Sequence, residues 1–299
     1  MTVYINGSPA ADWRAATPQD CLLCLVPSTG EAGAADVPGL AEMALIERRE
    51  SRGTRFESHE GYDYMSLWVP QVGNPAAPER RVQIWCAPGQ TTFLYEPQPA
   101  MDRLLERLSA DGKLAQNVRV GFFGLLTQDD AHALEDLEEG IAAFEDELTV
   151  QVPEDSVERI SALRRRLLVL KRYYEALFDL LEDMEENTNC LLDKAQLHAL
   201  RIQTNRADRL SRTVLNLRDY VTQVRESYQA QVDIQANKIM QFFTVVTTIF
   251  LPLTLIVGWY GMNLAMPEFS LPWMYPVVVA ASAALVVGLI VYFKRKKWL

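Results

Sequence analysis

The side chains able to do chemistry are few, and their spacing excludes most catalysis. Cys21-x-x-Cys24 sits in a run that reads as a strand, where a step of three sends side chains to opposite faces. Neither a second cysteine pair nor paired histidines completes a tetrahedral zinc set. His59, His132 and His198 lie far apart, outside any HExxH or triad-like setting. Neither GxxxxGK[ST] nor GxGxxG occurs to cradle a phosphate, so no enzyme is visible. Two groups of polar residues remain. Glu135, Asp136, Glu138, Glu139, Glu145, Asp146 and Glu147 put seven carboxylates into thirteen residues; such a run is ordinarily a solvated surface, or else binds hard divalent cations between subunits. Gln231, Gln235 and Asn237 place amides just ahead of a long apolar run, where polar groups face a bundle interior or a wet cavity.

The elements that position these residues begin with that run. Residues 240–259 contain no charge, nor do residues 273–293. About twenty helical residues at ~1.5 Å each cross a hydrocarbon core of ~30 Å, so each stretch is a membrane span. Lys238 precedes the first and Lys294-Arg295-Lys296-Lys297 follows the second, while the connector 260–272 carries only Glu268. By the positive-inside rule both termini lie in the cytosol. Trp259, Tyr260, Trp273, Tyr275 and Trp298 anchor the boundaries. Residues 1–239 hold 25 basic and 38 acidic side chains, net −13 within a whole-chain −10, a balance that repels phosphate backbones and excludes nucleic acid as a partner. The N-terminus lacks the pattern of a signal peptide, which predicts a cytosolic location for the soluble part and four reduced, buried thiols at Cys21, Cys24, Cys86 and Cys190.

From Glu154 through Leu251 there is neither glycine nor proline. Ile160, Leu163, Leu167, Leu170, Tyr174, Leu177, Leu181 and Met184 alternate steps of three and four and draw one apolar seam. Turn formers at 186–190 interrupt it, and the seam resumes at Leu200, Ala207, Leu210, Val214, Leu217, Val221, Val224 and Tyr228. That pattern predicts a helical hairpin whose second arm runs unbroken into the first span, roughly 100 Å for about seventy residues. Upstream, Leu134, Leu137, Ile141, Phe144 and Leu148 line the acidic helix. Short β-prone runs at 3–5, 21–26, 62–69, 82–86 and 92–95, with helices expected at 38–50 and 101–109, predict an α/β sheet layer.

The first span ends in Tyr260-Gly261-Met262-Asn263, followed by Met266-Pro267-Glu268. With Phe250-Leu251-Pro252-Leu253-Thr254 inside the span and Lys294-Arg295-Lys296-Lys297-Trp298-Leu299 at the end, the chain resembles the CorA family of divalent-cation channels and transporters. The likeness is specific over 237–299 and architectural elsewhere. It implies a cytosolic α/β domain (1–115), cytosolic helices (116–190), a stalk continuing into the first span (191–259), an external loop (260–272), a second span (273–293) and a basic cytosolic tail (294–299). It also implies a homopentameric funnel in the cytoplasmic membrane, with the five first spans around the pore.

The resemblance gives the residues roles. Mg2+ dehydrates reluctantly, so a ring of Asn263 amide oxygens, with Gly261 and Met262 shaping the loop, would accept hydrogen bonds from the waters of the hydrated ion. Steps of three and four from Asn237 pass Met240, Phe243 or Thr244, Thr247, Leu251, Thr254 and Gly258, matching the family's pore-facing positions. Thr254 and Asn237 would be polar stations; Met240, Phe243 and Leu251 would be apolar constrictions that close by dewetting. Pro252 permits a kink. Mg2+ is expected as cargo, with Co2+ and Ni2+ as further candidates, and intracellular Mg2+ as regulator at residues the sequence does not assign. The rivals are the family's proton-coupled zinc-transporting branch, against which Met262 speaks, and a non-conducting membrane sensor or scaffold.

Overall fold

β-branched and aromatic runs in the first hundred residues build a mixed seven-stranded sheet. The computed structural model describes residues 1–17, 19–28, 37–49, 53–74, 77–110, 117–150, 152–262 and 273–298. Its strands are β1 (Thr2–Ile5), β2 (Ser8–Ala10), β3 (Leu22–Pro27), β4 (Arg55–His59), β5 (Tyr62–Val69), β6 (Arg80–Ala87) and β7 (Gln90–Tyr95). They lie in the order β2-β1-β3-β7-β6-β5-β4, antiparallel except for the central parallel pair β3–β7. No apolar run marks β2 or β4 in the sequence. Both are edge strands, paired on one side only, and neither carries a fully buried residue.

Alternation along the strands loads both faces. Tyr64 and Trp85 pack with Met43 and Ile46 of α1 (Leu40–Arg49). Gly39, at φ +83, admits that approach, since a Cβ there would lie 2.2 Å from the Trp85 ring. On the other face Phe93 meets Phe122 of α3 (Val118–Leu126) with ring centroids 5.2 Å apart, and α2 (Pro99–Ala110) packs beside α3.

The expectation of four buried thiols holds for two. Cys24 and Cys86 are buried, which pushes both thiols up to about 11. Cys21 and Cys190 are exposed. Cys21 lies outside β3, its N–H held by Asn6 Oδ1 at 2.9 Å, and Cys190 occupies a left-handed turn position at φ 52. Neither belongs to a strand or helix that could bury it.

The remaining helices are α4 (Asp130–Val150), α5 (Ser156–Glu185), α6 (Lys194–Tyr260) and α7 (Met274–Arg295). Leu134, Leu137, Ile141, Phe144 and Leu148 of α4 are all at most 5% exposed, as the 3/4 spacing predicts. On α5 and α6 the seam is buried from Leu167 to Met184 and from Leu200 to Val224, while Leu163 and Tyr228 are half-covered. Polar ties join the three: Tyr220 donates to Glu145 at 2.8 Å, Thr204 to Glu185 at 2.6 Å, and Arg159 pairs with Glu147 at 2.7 Å.

The turn between α5 and α6 is built by asparagines. Asn187, at φ 48, brackets Leu192, accepting from its N–H at 3.0 Å and donating to its carbonyl at 2.9 Å. Asn189 Nδ2 donates to the His59 carbonyl at 2.8 Å, fastening the turn to the β4–β5 hairpin. Asp193 and Gln196 then form a reciprocal capping box at 2.7 and 3.0 Å that starts α6. The chain divides into two units, Met1–Glu147 with Pro153–Arg225, and Leu148–Val152 with Glu226–Leu299. Helix α6 supplies residues to both.

Candidate functional site

Among the described residues two helices, α6 and α7, are long and apolar enough to cross a bilayer. Within the second unit α6 has two distinct sides. Gln241, Val245, Ile249, Pro252, Ile256 and Tyr260 are buried or half-buried. At about 100° per residue these steps of three and four make one covered stripe. Met240, Phe243, Thr247, Leu251, Thr254 and Gly258 fall on the opposite side, and every one is exposed; Asn237, four residues before Gln241, is exposed too but stands between the two sides. Met240, Phe243 and Leu251 are 65%, 62% and 65% exposed, which for large apolar side chains marks a face that this single chain does not cover.

Part of that face is one shallow open groove lined by Thr247, Leu251, Thr254, Gly258 and Met262, together with Phe250 and Leu255. The fold thus brings Leu251, Thr254 and Met262 together. Met240 and Phe243 sit on the same side of the helix but outside the groove, and Asn237 is outside it too. Asn263 and the rest of the connector through 272 lie outside the described residues.

The hydroxyl chemistry of this face is one-sided. Thr247 donates to the Phe243 carbonyl at 2.7 Å and Thr254 to that of Phe250 at 2.9 Å; Thr244 and Thr248 do likewise to Met240 and Thr244 at 2.8 and 2.7 Å. A hydroxyl has one proton and two lone pairs. With the proton committed to the backbone, each oxygen presents only acceptor capacity outward, which suits ligands rich in O–H donors. An acceptor that sequence reasoning did not name is the Thr248 carbonyl. α6 continues through Pro252, whose missing N–H takes away that carbonyl's helical donor; the signal was a proline four residues downstream.

Gly261 closes the helix, its N–H bonded to the Val257 carbonyl at 2.8 Å. A Cβ added there would lie 2.9 Å from that same oxygen, so the backbone has no room for a side chain. Met262 N–H bonds to the Trp259 carbonyl at 3.4 Å and its side chain reaches back into the groove. At the far end of α7 the basic tail folds back. Trp298 stacks on Phe293 at 5.8 Å, and Lys296 Nζ stands 5.3 and 5.7 Å from the Trp298 and Tyr292 ring centres.

The acidic run on α4 is spread around the helix. Glu145 is half-buried against Tyr220, pushing that phenol up to about 12, and the other six carboxylates are exposed. Among the described residues, no three His, Cys, Asp or Glu side chains gather as a metal site.

Comparison with known proteins agrees with this layout. Residues 35–295 match the family model described as CorA-like Mg2+ transporter protein. The cobalt/magnesium transport protein CorA of Thermotoga maritima is 32% identical over 188 residues, covering 62% of this chain and 54% of that protein; the match thus spans about half the length of that relative. The CorA magnesium transporter from Methanocaldococcus jannaschii shares the fold over 100% of this chain and 98% of its own, with TM-score 0.78 at 17% identity. The cytoplasmic domain of ZntB from Vibrio parahaemolyticus shares it over 78% of this chain and 98% of its own, with TM-score 0.58 at 16% identity.

Proposed function

The chain belongs to the family of CorA-like Mg2+ transporter proteins, and from that premise we propose that it is a homopentameric divalent-cation channel of the cytoplasmic membrane. It carries Mg2+ inward down its electrochemical gradient, with Co2+ and Ni2+ as further substrates. The observation that carries this reading is the uncovered face of α6, where Thr247, Leu251, Thr254 and Met262 share one groove.

Five copies of that face around an axis alternate hydroxyl rings with apolar rings. Mg2+ holds its waters tightly, and those waters are hydrogen-bond donors. The threonine oxygens, with their protons already given to the backbone, accept from them. Met240, Phe243 and Leu251 form the narrow apolar stations that stop conduction by dewetting, and Asn237 is the polar station nearest the cytosol. Asn263 follows Met262 directly and supplies the amide ring at the outer mouth. Residues 1–239 and the tail 294–299 lie in the cytosol, where Mg2+ bound between acidic subunits, net −13 each over 1–239, favours the closed ring.

The test is ion uptake into liposomes holding the purified full chain, with Mg2+, Co2+, Ni2+ and Zn2+ compared side by side. Mg2+ uptake independent of a pH gradient is expected. Zn2+ uptake that rises with a proton gradient, without Mg2+ uptake, would assign the chain to zinc transport; no uptake of any ion would leave a sensor or scaffold. Asn263→Ala should abolish Mg2+-dependent growth rescue of a transport-deficient host while the protein still assembles. Normal rescue would remove the amide ring from the mechanism.

A further inference from the structure

In the first unit a cavity of about 460 Å3 opens where the end of β5, the start of β6, α2 and the α3–α4 junction meet. That volume suits a small molecule. Three arginines line it, Arg80 from β6 with Arg103 and Arg107 from α2, against two carboxylates, Asp129 and Asp130, so the formal charge of the lining is positive by one.

Arg80 is the informative one. It is only 8% exposed, and its Nε has no hydrogen-bond partner among the described residues. Burial lowers its pKa. A guanidinium stays charged at any working pH, and an uncompensated buried charge is costly. Arg103 spends its Nε on the Pro99 carbonyl at 2.9 Å, and Arg107 spends one terminal nitrogen on Gln128 Oε1 at 3.0 Å. Each has five N–H donors in a planar fork, so most of that capacity is uncommitted. Across the cavity Asp130 is likewise 8% exposed, with Oδ2 unpartnered among the described residues; its charge is set against Arg206 and the Tyr174 hydroxyl instead. Val69, Leu104 and Leu125 supply apolar wall.

We propose that this cavity binds a small phosphate-bearing anion of up to mononucleotide size. The phosphate is held by Arg80, Arg103 and Arg107, and the uncharged body lies against Val69, Leu104 and Leu125. A phosphate monoester fits better than a single carboxylate because it brings close to two negative charges and three acceptor oxygens at pH 7, matching several forks at once. Asp130 Oδ2 remains as acceptor for a hydroxyl or amine of the body. The assignment stands apart from cation transport, since the cavity belongs to the first unit and selects the opposite sign of charge.

The test is thermal unfolding of the full-length protein in detergent at fixed free Mg2+, followed by tryptophan fluorescence, with AMP, inorganic phosphate, adenosine or citrate added. AMP should raise the melting temperature saturably, phosphate should do so at higher concentration, and adenosine should not. Arg80→Gln and Arg103→Gln should each weaken AMP binding by about tenfold or more, whereas Arg201→Gln, on the exposed surface of α6, should leave it unchanged. Ligand-free Arg80→Gln should melt no lower than the parent, because the buried Nε it removes has no hydrogen-bond partner among the described residues; a melting temperature clearly lower would mean a structural arginine and overturn the proposal. Should that variant fail to fold, Arg103→Gln decides: AMP binding as tight as in the parent would overturn the proposal. Absence of a saturable shift with AMP and phosphate, equal shifts in parent and variants, or a shift with citrate but none with AMP would each overturn it.

Discussion

Thr254 gives its only proton to the Phe250 carbonyl at 2.9 Å, and what it offers beyond the helix is an acceptor. A pore that passes a hydrated cation needs that polarity, because the ion's waters arrive as donors. Thr254→Val keeps the shape and removes the oxygen, so Mg2+ flux into liposomes should fall by about threefold to tenfold, the worth of one net hydrogen bond of ~1 kcal/mol. Thr254→Ser should retain most of it. Equal flux in all three proteins would take the hydroxyl out of the conduction path. The sequence made Thr254 legible through its place among steps of three and four, but its hydroxyl's commitment to the backbone depended on the helix. Asp130 was not legible at all. The acidic run drew the reading to 135–147, whereas tertiary packing buries the carboxylate just upstream and raises its pKa to about 6, mainly by desolvation, against 3.8 for a free aspartate. The sign follows from linkage. The native state prefers the protonated acid, so this group's stabilisation is full below about pH 4 and lost as the pH climbs through 6. Asp130→Asn, which cannot ionise, should therefore gain on the parent by roughly 3 kcal/mol between pH 4 and pH 7, read as a melting-temperature difference that grows over that interval and is flat above it. A pH-independent difference would contradict the raised pKa.

The helices were the most legible elements because their apolar period is long and unbroken. Residues at the 3/4 positions of α4, α5 and α6 are the ones the fold buries, and the asparagine-rich interruption at 186–190 is where the hairpin turns. The edge strands β2 and β4 escaped notice for the complementary reason. A strand paired on one side and half wet needs no apolar alternation, so its composition resembles a loop. The thiols show the same limit, since burial at Cys21 and Cys190 depended on whether each fell inside an element, and the run containing Cys21 begins its strand one residue later. The seam reading has a direct consequence for α5. Leu177 is fully buried on the stripe and Leu168 is 41% exposed off it. Leu177→Ala should cost ~2–5 kcal/mol of stability through lost contacts and a residual cavity, and Leu168→Ala about 0.5 kcal/mol or less. Thermal unfolding of both full-length variants decides it; similar losses would mean that the helix is packed on all sides.

At the scale of the whole molecule, the second unit presents a helix with a covered side and a bare one, and the bare side carries Met240, Phe243 and Leu251 more than three-fifths exposed. Lipid alone would tolerate those three, but it gives no reason for threonine oxygens to stand among them. Symmetric copies would, because in the proposed ring of first spans that same face of every copy would turn toward a common axis. Position 254 would then meet its own equivalents in neighbouring copies, while Ile256, on the half-buried side, would not. In a background with the four native cysteines replaced by serine, Thr254→Cys should cross-link readily into covalent dimers under mild oxidation in the membrane, and Ile256→Cys should stay monomeric. Mg2+ flux through the oxidised Thr254→Cys protein should fall and recover on reduction, since a disulfide across the axis narrows the path that the ion takes. Cross-linking at 256 in place of 254 would turn the helix about its own axis and put the threonines in lipid; no cross-linking at either position, with a monomeric mass in detergent, would leave the bare face without a partner and remove the pore.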